Sequence, residues 1–259
     1  MASEPRILTV EDLRVSFGGV TALAGVSFTV RPGTITSLIG PNGAGKTTAF
    51  NAITGYLRPS HGRVSWDRAP LGGRPCDIAR RGVVRTFQKT SVFPALTVFD
   101  NVRTGLHLRA RASVWSVLAG ARSVRTEEAR IAATAQEVIE FVGLGDRRHE
   151  VAGELPYGEQ RLVELAVALA AQPRLLLLDE PAAGMAGGEK ERLIGMIRRI
   201  REQDVTVLLV EHDMKLVMGI SETVIVLNHG RVIAAGAPAS IQSNPDVIRA
   251  YLGSSRAPA

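Results

Sequence analysis

Residues Gly33–Leu57 read GTITSLIGPNGAGKTTAFNAITGYL, and three local signals meet in that one stretch. ITSLI is short, apolar and rich in β-branched residues, which predicts a buried strand. GPNGAG is too glycine-rich for regular structure, and KTTAFNAI resumes at helical spacing. The order strand, glycine loop, helix is the context that gives meaning to Gly40, Gly45, Lys46 and Thr47, which fit G-x-x-x-x-G-K-[ST]. Glycines let the backbone N–H groups of Gly40, Pro41, Asn42, Gly43, Ala44 and Gly45 close around an anion wherever an N–H is present. The helix N-terminus adds positive potential. Lys46 is placed for the β and γ phosphates of a nucleotide, Thr47 and Thr48 follow at the helix start, and the Thr47 hydroxyl suits Mg²⁺.

Outward from this loop, the chain alternates. Two runs, ILTVEDLRVSF and VSFTVRPGTITSLIG, are strand-like and are broken by turns at Gly18-Gly19 and Pro32-Gly33. From about residue 95 to 172 the pattern turns helical, with Ile131, Val138, Ile139 and Val142 at helix-compatible intervals, which predicts a helical insertion. ELPYGEQRLVELAVALA, from Glu154 to Ala170, predicts an amphipathic helix with Leu162, Leu165, Ala166 and Leu169 inward. After Pro173 strands return in RLLLLDE, VTVLLVEHD and TVIVLNHGRVIAAG, separated by helices. NPDVIRAYLG closes as a short helix opened by Pro245 and Asp246. Strands alternating with helices require crossovers and a mostly parallel sheet, so the fold class is α/β.

In RLLLLDE the four leucines bury the strand on both faces, and Asp179 and Glu180 then stand at its C-terminal end, where parallel sheets bind ligands. Asp179 suits Mg²⁺ through water, and Glu180 suits a water attacking the γ-phosphate in line.

The bulk composition agrees with a nucleotide-handling globular protein without selecting one. The chain has 259 residues, 45% of them hydrophobic, and a net charge of +6 with pI near 10.1, which favours an anionic partner of some kind. One cysteine, Cys76, excludes an internal disulfide and has no nucleophile context. The start MASEPRILTVEDL lacks the basic and apolar regions of a signal peptide, and no apolar run reaches the roughly 20 residues of a membrane span. A soluble chain in a reducing compartment is expected, with membrane work done through a partner.

These motifs, in this order, resemble the nucleotide-binding subunits of ATP-binding-cassette transporters, and the resemblance covers essentially all 259 residues. It implies a single nucleotide-binding domain over residues 1–259. That domain has a P-loop NTPase core of RecA type, an antiparallel β subdomain and a helical subdomain at about 95–172. It also implies that LPYGEQR occupies the place of the family's signature turn. Leu155, Pro156, Tyr157, Gly158, Glu159 and Gln160 would then face the γ-phosphate on a partner subunit's phosphate loop. Phe17 resembles the aromatic that stacks on adenine, Gln88 the glutamine that senses Mg²⁺ and the attacking water, and His212 the switch histidine at the γ-phosphate. The chain departs from the pattern at two places: Pro156 and Tyr157 stand where it has serine and glycine, and Ala186 stands where many members have an inter-subunit aspartate. The departures imply two unequal ATP sites, with the one built on Lys46, Glu180 and His212 the competent one.

A narrower resemblance, in RTFQKTSVFPALTVFDNV, YGEQRLVELA, LDEPAAGM and VEHDMKLVMGIS, is to the ATPases of branched-chain amino acid importers. Cassettes for urea, short amides and aromatic acids share much of this text. The resemblance implies permease subunits, a second ATP-binding subunit, an extracytoplasmic solute-binding protein, and a peripheral place on the cytoplasmic membrane face. An arginine-rich stretch from Arg103 through Arg109, Arg111, Arg122 and Arg125, with Trp115, suits a membrane surface or permease loops as well as it suits a solvated helix face. A soluble cassette acting on nucleic acid or cluster assembly is the rival of a different class. Such proteins show paired cassettes or a long coiled coil, which are not here, so no nucleic acid partner is expected. A small-molecule kinase would have no use for LPYGEQR.

Overall fold

The computed structural model describes residues 7–86, 92–106 and 122–253. Strands β1 (Leu8–Phe17) and β2 (Val20–Val30) form an antiparallel pair joined at Gly18-Gly19, where both residues take positive φ, as a two-residue hairpin turn requires. Strand β3 (Ile35–Ile39) runs into the glycine loop and helix α1 (Lys46–Ile53). Then come β4 (His61–Trp66), β5 (Ala69–Pro70), α2 (Pro75–Arg80) and β6 (Val83–Arg85). Three longer helices follow: α3 (Val98–Leu106), α4 (Arg122–Phe141) and α5 (Tyr157–Ala170). The chain ends with β7 (Leu175–Asp179), α6 (Gly187–Glu202), β8 (Thr206–Val210), α7 (Met214–Ile220), β9 (Thr223–Asn228), β10 (Arg231–Gly236), α8 (Pro238–Gln242) and α9 (Pro245–Gly253).

Two sheets result. The smaller is antiparallel in the order β2-β1-β4-β5; the larger runs β10-β9-β3-β8-β7-β6, parallel except for the edge strand β10. The larger sheet is covered on both faces, and the period of two along its strands sorts the side chains. Leu176, Leu178, Val207 and Leu209 pack into the core beneath the long helices. Leu175, Leu177, Leu208 and Val210 pack on the other face with Phe50 and Ile53 of α1 and with the antiparallel sheet.

One helix departs from the expectation. α5 is buried nearly all round, with Val163, Leu165, Ala166, Ala168 and Ala170 all inside, while Leu169 is only half-buried. Its two interior charges, Arg161 and Glu164, form an ion pair of 2.8 Å with both side chains buried. An i,i+3 pair satisfies itself on one helix face, so a helix that reads as amphipathic by its charges can still be central. No helix among the described residues is long and apolar enough to cross a membrane. Gln88, Arg109, Arg111 and Trp115 lie outside the described residues, as do the side chains of Arg122 and Arg125.

Candidate nucleotide site

The adjacent strands β3, β8, β7 and β6 deliver the site, because in a parallel sheet all C-terminal ends open to the same edge. β3 releases the phosphate loop. At Gly40, with φ of 151°, an added Cβ would lie 2.1 Å from the Leu227 carbonyl oxygen; at Gly45, with φ of 104°, it would lie 2.7 Å from that of Ala22. Both the left-handed backbone and the close approach exclude a side chain. Asn42 and Gly43 are exposed at the loop tip, Ala44 is buried, and the Ala44 N–H donates to the Pro41 carbonyl at 3.1 Å.

Lys46 turns back into this loop, its Nζ donating to the carbonyls of Gly40 at 2.7 Å and Pro41 at 3.1 Å. Burial pushes its pKa down, and the carboxylates of Glu180 and Asp179 oppose that shift. The lysine is therefore held within the field of both acids. Thr47 is exposed and Thr48 half-buried on the first turn of α1. Tyr251, from α9, meets the backbone of Gly40 behind the loop, and burial raises its phenol.

β7 and β8 pair Asp179 with Val210, which sets the next residues of each strand side by side. Glu180 takes a left-handed backbone, φ 50°, and its Oε1 lies 2.8 Å from His212 Nε2. A non-glycine residue at positive φ costs about 1–3 kcal/mol and persists where the surroundings fix it; here the Glu180 N–H donates to the Val210 carbonyl at 2.9 Å. Asp179 is buried, and its Oδ2 accepts from Arg85 Nη2 at 2.6 Å. Phe17 ends β1 with 52% of its surface exposed, an outward aromatic face.

The turn Leu155–Gln160 makes its contacts elsewhere. Leu155 is buried, Pro156 caps α5, and Gln160 Nε2 donates to the Leu155 carbonyl at 2.8 Å. Glu159 pairs with Arg147 at 2.9 Å. Gly158 is packed so closely by Glu189 that a Cβ would meet Oε1 at 2.4 Å. Tyr157, the departure from the pattern, donates its hydroxyl to the Ala183 carbonyl at 3.1 Å and accepts from Arg161 Nε at 3.0 Å. That joins the turn to the loop just after Glu180. Ala186 caps α6, its N–H donating to Glu189 Oε2 at 2.9 Å.

Sequence reasoning missed two groups. Arg85 is one. The other is Glu211, buried between the two loops, with Oε1 accepting from the Ala182 N–H at 2.8 Å and Oε2 from the His212 N–H at 3.1 Å. Burial raises its pKa against the pull of those backbone donors. A raised carboxylate binds its proton more tightly in the folded chain than in the unfolded one. The contribution of Glu211 to stability is therefore greatest at low pH and is lost as pH rises through its raised pKa. Relative to Glu211→Gln, the native chain is expected to lose stability with rising pH. Thermal melts of both between roughly pH 4 and 8 check this, and parallel curves would contradict it.

Of the residues expected to serve a metal, Gln88 lies outside the described residues, and the Thr47 hydroxyl and the Asp179 carboxylate could donate to one. These are hard oxygens in the small number that Mg²⁺ takes from a protein when phosphates and waters complete its shell. Among the described residues there is no cluster of three or more His, Cys, Asp or Glu to hold a metal without such help.

Fold and site together define an ATP-binding cassette, and the ABC transporter family model matches residues 23–183. A second model, branched-chain amino acid ATP-binding cassette transporter, matches residues 231–257. The chain is 43% identical over 253 residues to the high-affinity branched-chain amino acid transport ATP-binding protein LivG of Salmonella typhimurium, covering 97% of this chain and 99% of that one. It is also 43% identical over 249 residues to BraF of Pseudomonas aeruginosa, a protein of the same description, covering 95% and 98%. The crystal structure of the ADP conformation of an ATP-binding cassette of an ABC transporter superimposes with a TM-score of 0.84 at 32% identity, covering 96% of this chain and 99% of that one. The chain belongs to the ATP-binding subunits of ABC transporters, in their branched-chain amino acid group.

Proposed function

We propose that this chain hydrolyses ATP to drive an importer of branched-chain amino acids, from the cytoplasmic face of the membrane. It works against permease subunits, beside a second ATP-binding subunit, and only indirectly with the extracytoplasmic protein that delivers solute to the permeases. The observation that carries the reading is the convergence of Lys46, Asp179, Glu180 and His212 at neighbouring strand ends in a chain 43% identical to LivG over nearly its full length.

The residues divide the chemistry as phosphoryl transfer demands. The phosphate loop Gly40–Thr48 cradles the nucleotide, Phe17 offers a face to the adenine, and Lys46 neutralises β and γ charge. Thr47 and Asp179 would hold Mg²⁺, which would supply Lewis-acid stabilisation of the same charge. Glu180 orients and deprotonates the attacking water, and His212, bonded to it, fixes its carboxylate and reaches the γ-phosphate. By the resemblance, Gln88 senses Mg²⁺ and the attacking water, and the helical subdomain at about 95–172 meets the permeases. Leu155–Gln160 present the N-terminus of α5 to the partner's nucleotide. With Pro156, Tyr157 and Ala186 in place of the family's usual residues, this turn serves its site less well than Lys46, Glu180 and His212 serve theirs.

Uptake of labelled leucine by cells lacking this chain tests the solute. Uptake is expected to be lost on deletion and restored by the wild-type chain. Unchanged leucine uptake, with loss of urea, short-amide or aromatic-acid uptake instead, would overturn the solute and leave the cassette reading standing.

A further inference from the structure

Arg85 is the last residue of β6, after the buried Val83 and Val84. Its side chain is 6% exposed, and it spans two elements that carry reacting groups. Nη2 donates to Asp179 Oδ2 at 2.6 Å on β7. Nη1 donates to Asn51 Oδ1 at 2.7 Å, on the helix that begins at Lys46, and lies 3.4 Å from Oγ1 of Thr54, which caps that helix at its C-terminal end. The guanidinium carbon sits 5.5 Å from the centre of the Phe50 ring, on the same helix.

A buried ion pair adds little stability over apolar replacements, because desolvation offsets attraction. Stability alone is thus a poor reason to seat an arginine on this particular acid. Geometry is a better one. A planar guanidinium held on one arm by an amide oxygen and packed near an aromatic ring has few orientations, and the carboxylate bonded to its other arm inherits that restriction.

We infer that Arg85 is a positioning residue for the metal acid: it occupies Asp179 Oδ2 and so fixes the orientation of the carboxylate that would serve Mg²⁺. It also ties that carboxylate to the helix carrying Lys46 and Thr47, so metal and phosphate contacts move as one body. The inference rests on the proposed ATPase reading, in which Asp179 serves Mg²⁺.

The test is binding of a fluorescent ATP analogue to the purified chain, in EDTA and across a Mg²⁺ titration, for wild type, Arg85→Gln, Arg85→Lys, Asp179→Asn and the Arg85→Gln/Asp179→Asn double variant. Arg85→Gln is expected to keep metal-free affinity within about twofold and to raise the Mg²⁺ concentration for the half-maximal metal-dependent gain about tenfold, the scale on which outer-shell partners act. Arg85→Lys should fall between. The double variant should be no worse than Asp179→Asn alone, since one residue acts through the other. The EPR line of bound Mn²⁺ should broaden in Arg85→Gln. If that variant does not fold, Asn51→Ala, which frees one arm without uncovering the acid, should shift the Mg²⁺ midpoint in the same direction by less. An unchanged midpoint, or equal losses with and without metal, overturns the inference. A wild-type chain whose nucleotide binding ignores Mg²⁺ altogether would instead overturn the ATPase reading beneath it.

Discussion

Glu180→Gln is expected to lower the rate of ATP hydrolysis by about 10²–10⁴-fold while ATP affinity stays within about twofold, the range by which a positioned general base contributes. The substitution is nearly isosteric. The carboxamide can still bond His212, now 2.8 Å from the native carboxylate, and glutamine meets the same left-handed backbone that glutamate accepts at φ 50°. What changes is the capacity to take a proton from water. A loss confined to turnover, with binding intact, is the signature of an interaction made only in the transition state. Phosphate release under saturating ATP and equilibrium binding of the nucleotide, measured on the same preparation, separate the two. A fall of less than about threefold would place the proton acceptor elsewhere and withdraw the role from Glu180. The same substitution reads the inequality of the two sites in the assembled importer. Placed in this chain it should remove most of the hydrolysis, and placed at the corresponding glutamate of the other subunit it should remove less. Equal losses would end the case for unequal sites.

Glu180 was legible in the sequence because its constraints are local. Four leucines in a row announce a strand buried on both faces, and an acid pair directly after them has to emerge at the sheet edge. The phosphate loop is legible for the same reason: the positions that fit no side chain are glycine, and the helix starts at once. Arg85 and Glu211 are of another kind. Arg85 meets Asp179 across 94 residues and Glu211 meets Ala182 across 29, and no periodicity encodes such partners. The available signal was a charge ending an apolar run, as in VVR and TVLLVE, which asks where the charge finds a partner but does not answer. The all-round burial of α5 was hidden by Arg161 and Glu164, charges that read as a solvent face until their mutual pairing is seen. Tyr157 reads as a departure from a pattern, yet in the folded chain its hydroxyl binds the Ala183 carbonyl and so fastens the turn to the loop after Glu180.

Lys46→Ala is expected to weaken ATP binding by about 10–150-fold, corresponding to the loss of about 1.5–3 kcal/mol of charge-assisted bonding, and to abolish measurable hydrolysis. The ammonium is already largely removed from water and is aimed by the Gly40 and Pro41 carbonyls, so little reorganisation is needed when phosphate arrives. Removing it also leaves Asp179 and Glu180 without the cation whose field they share, which opposes a second anion entering the loop. Arginine should not rescue, because its planar fork cannot sit between the same two carbonyls as a compact ammonium does. Thermal denaturation gives a readout independent of turnover. Ligand at 100 times its Kd stabilises a fold by about 2.7 kcal/mol, and a hundredfold weaker Kd at the same concentration leaves about 0.4. The nucleotide-free melting temperatures of the two chains should lie close together, while the rise on adding ATP should nearly vanish in the variant. If ATP still raised the variant's melting temperature as it raises the wild type's, the anion would have to be held elsewhere. The strand, glycine loop and helix of Gly33–Leu57 would then explain the fold without explaining the site.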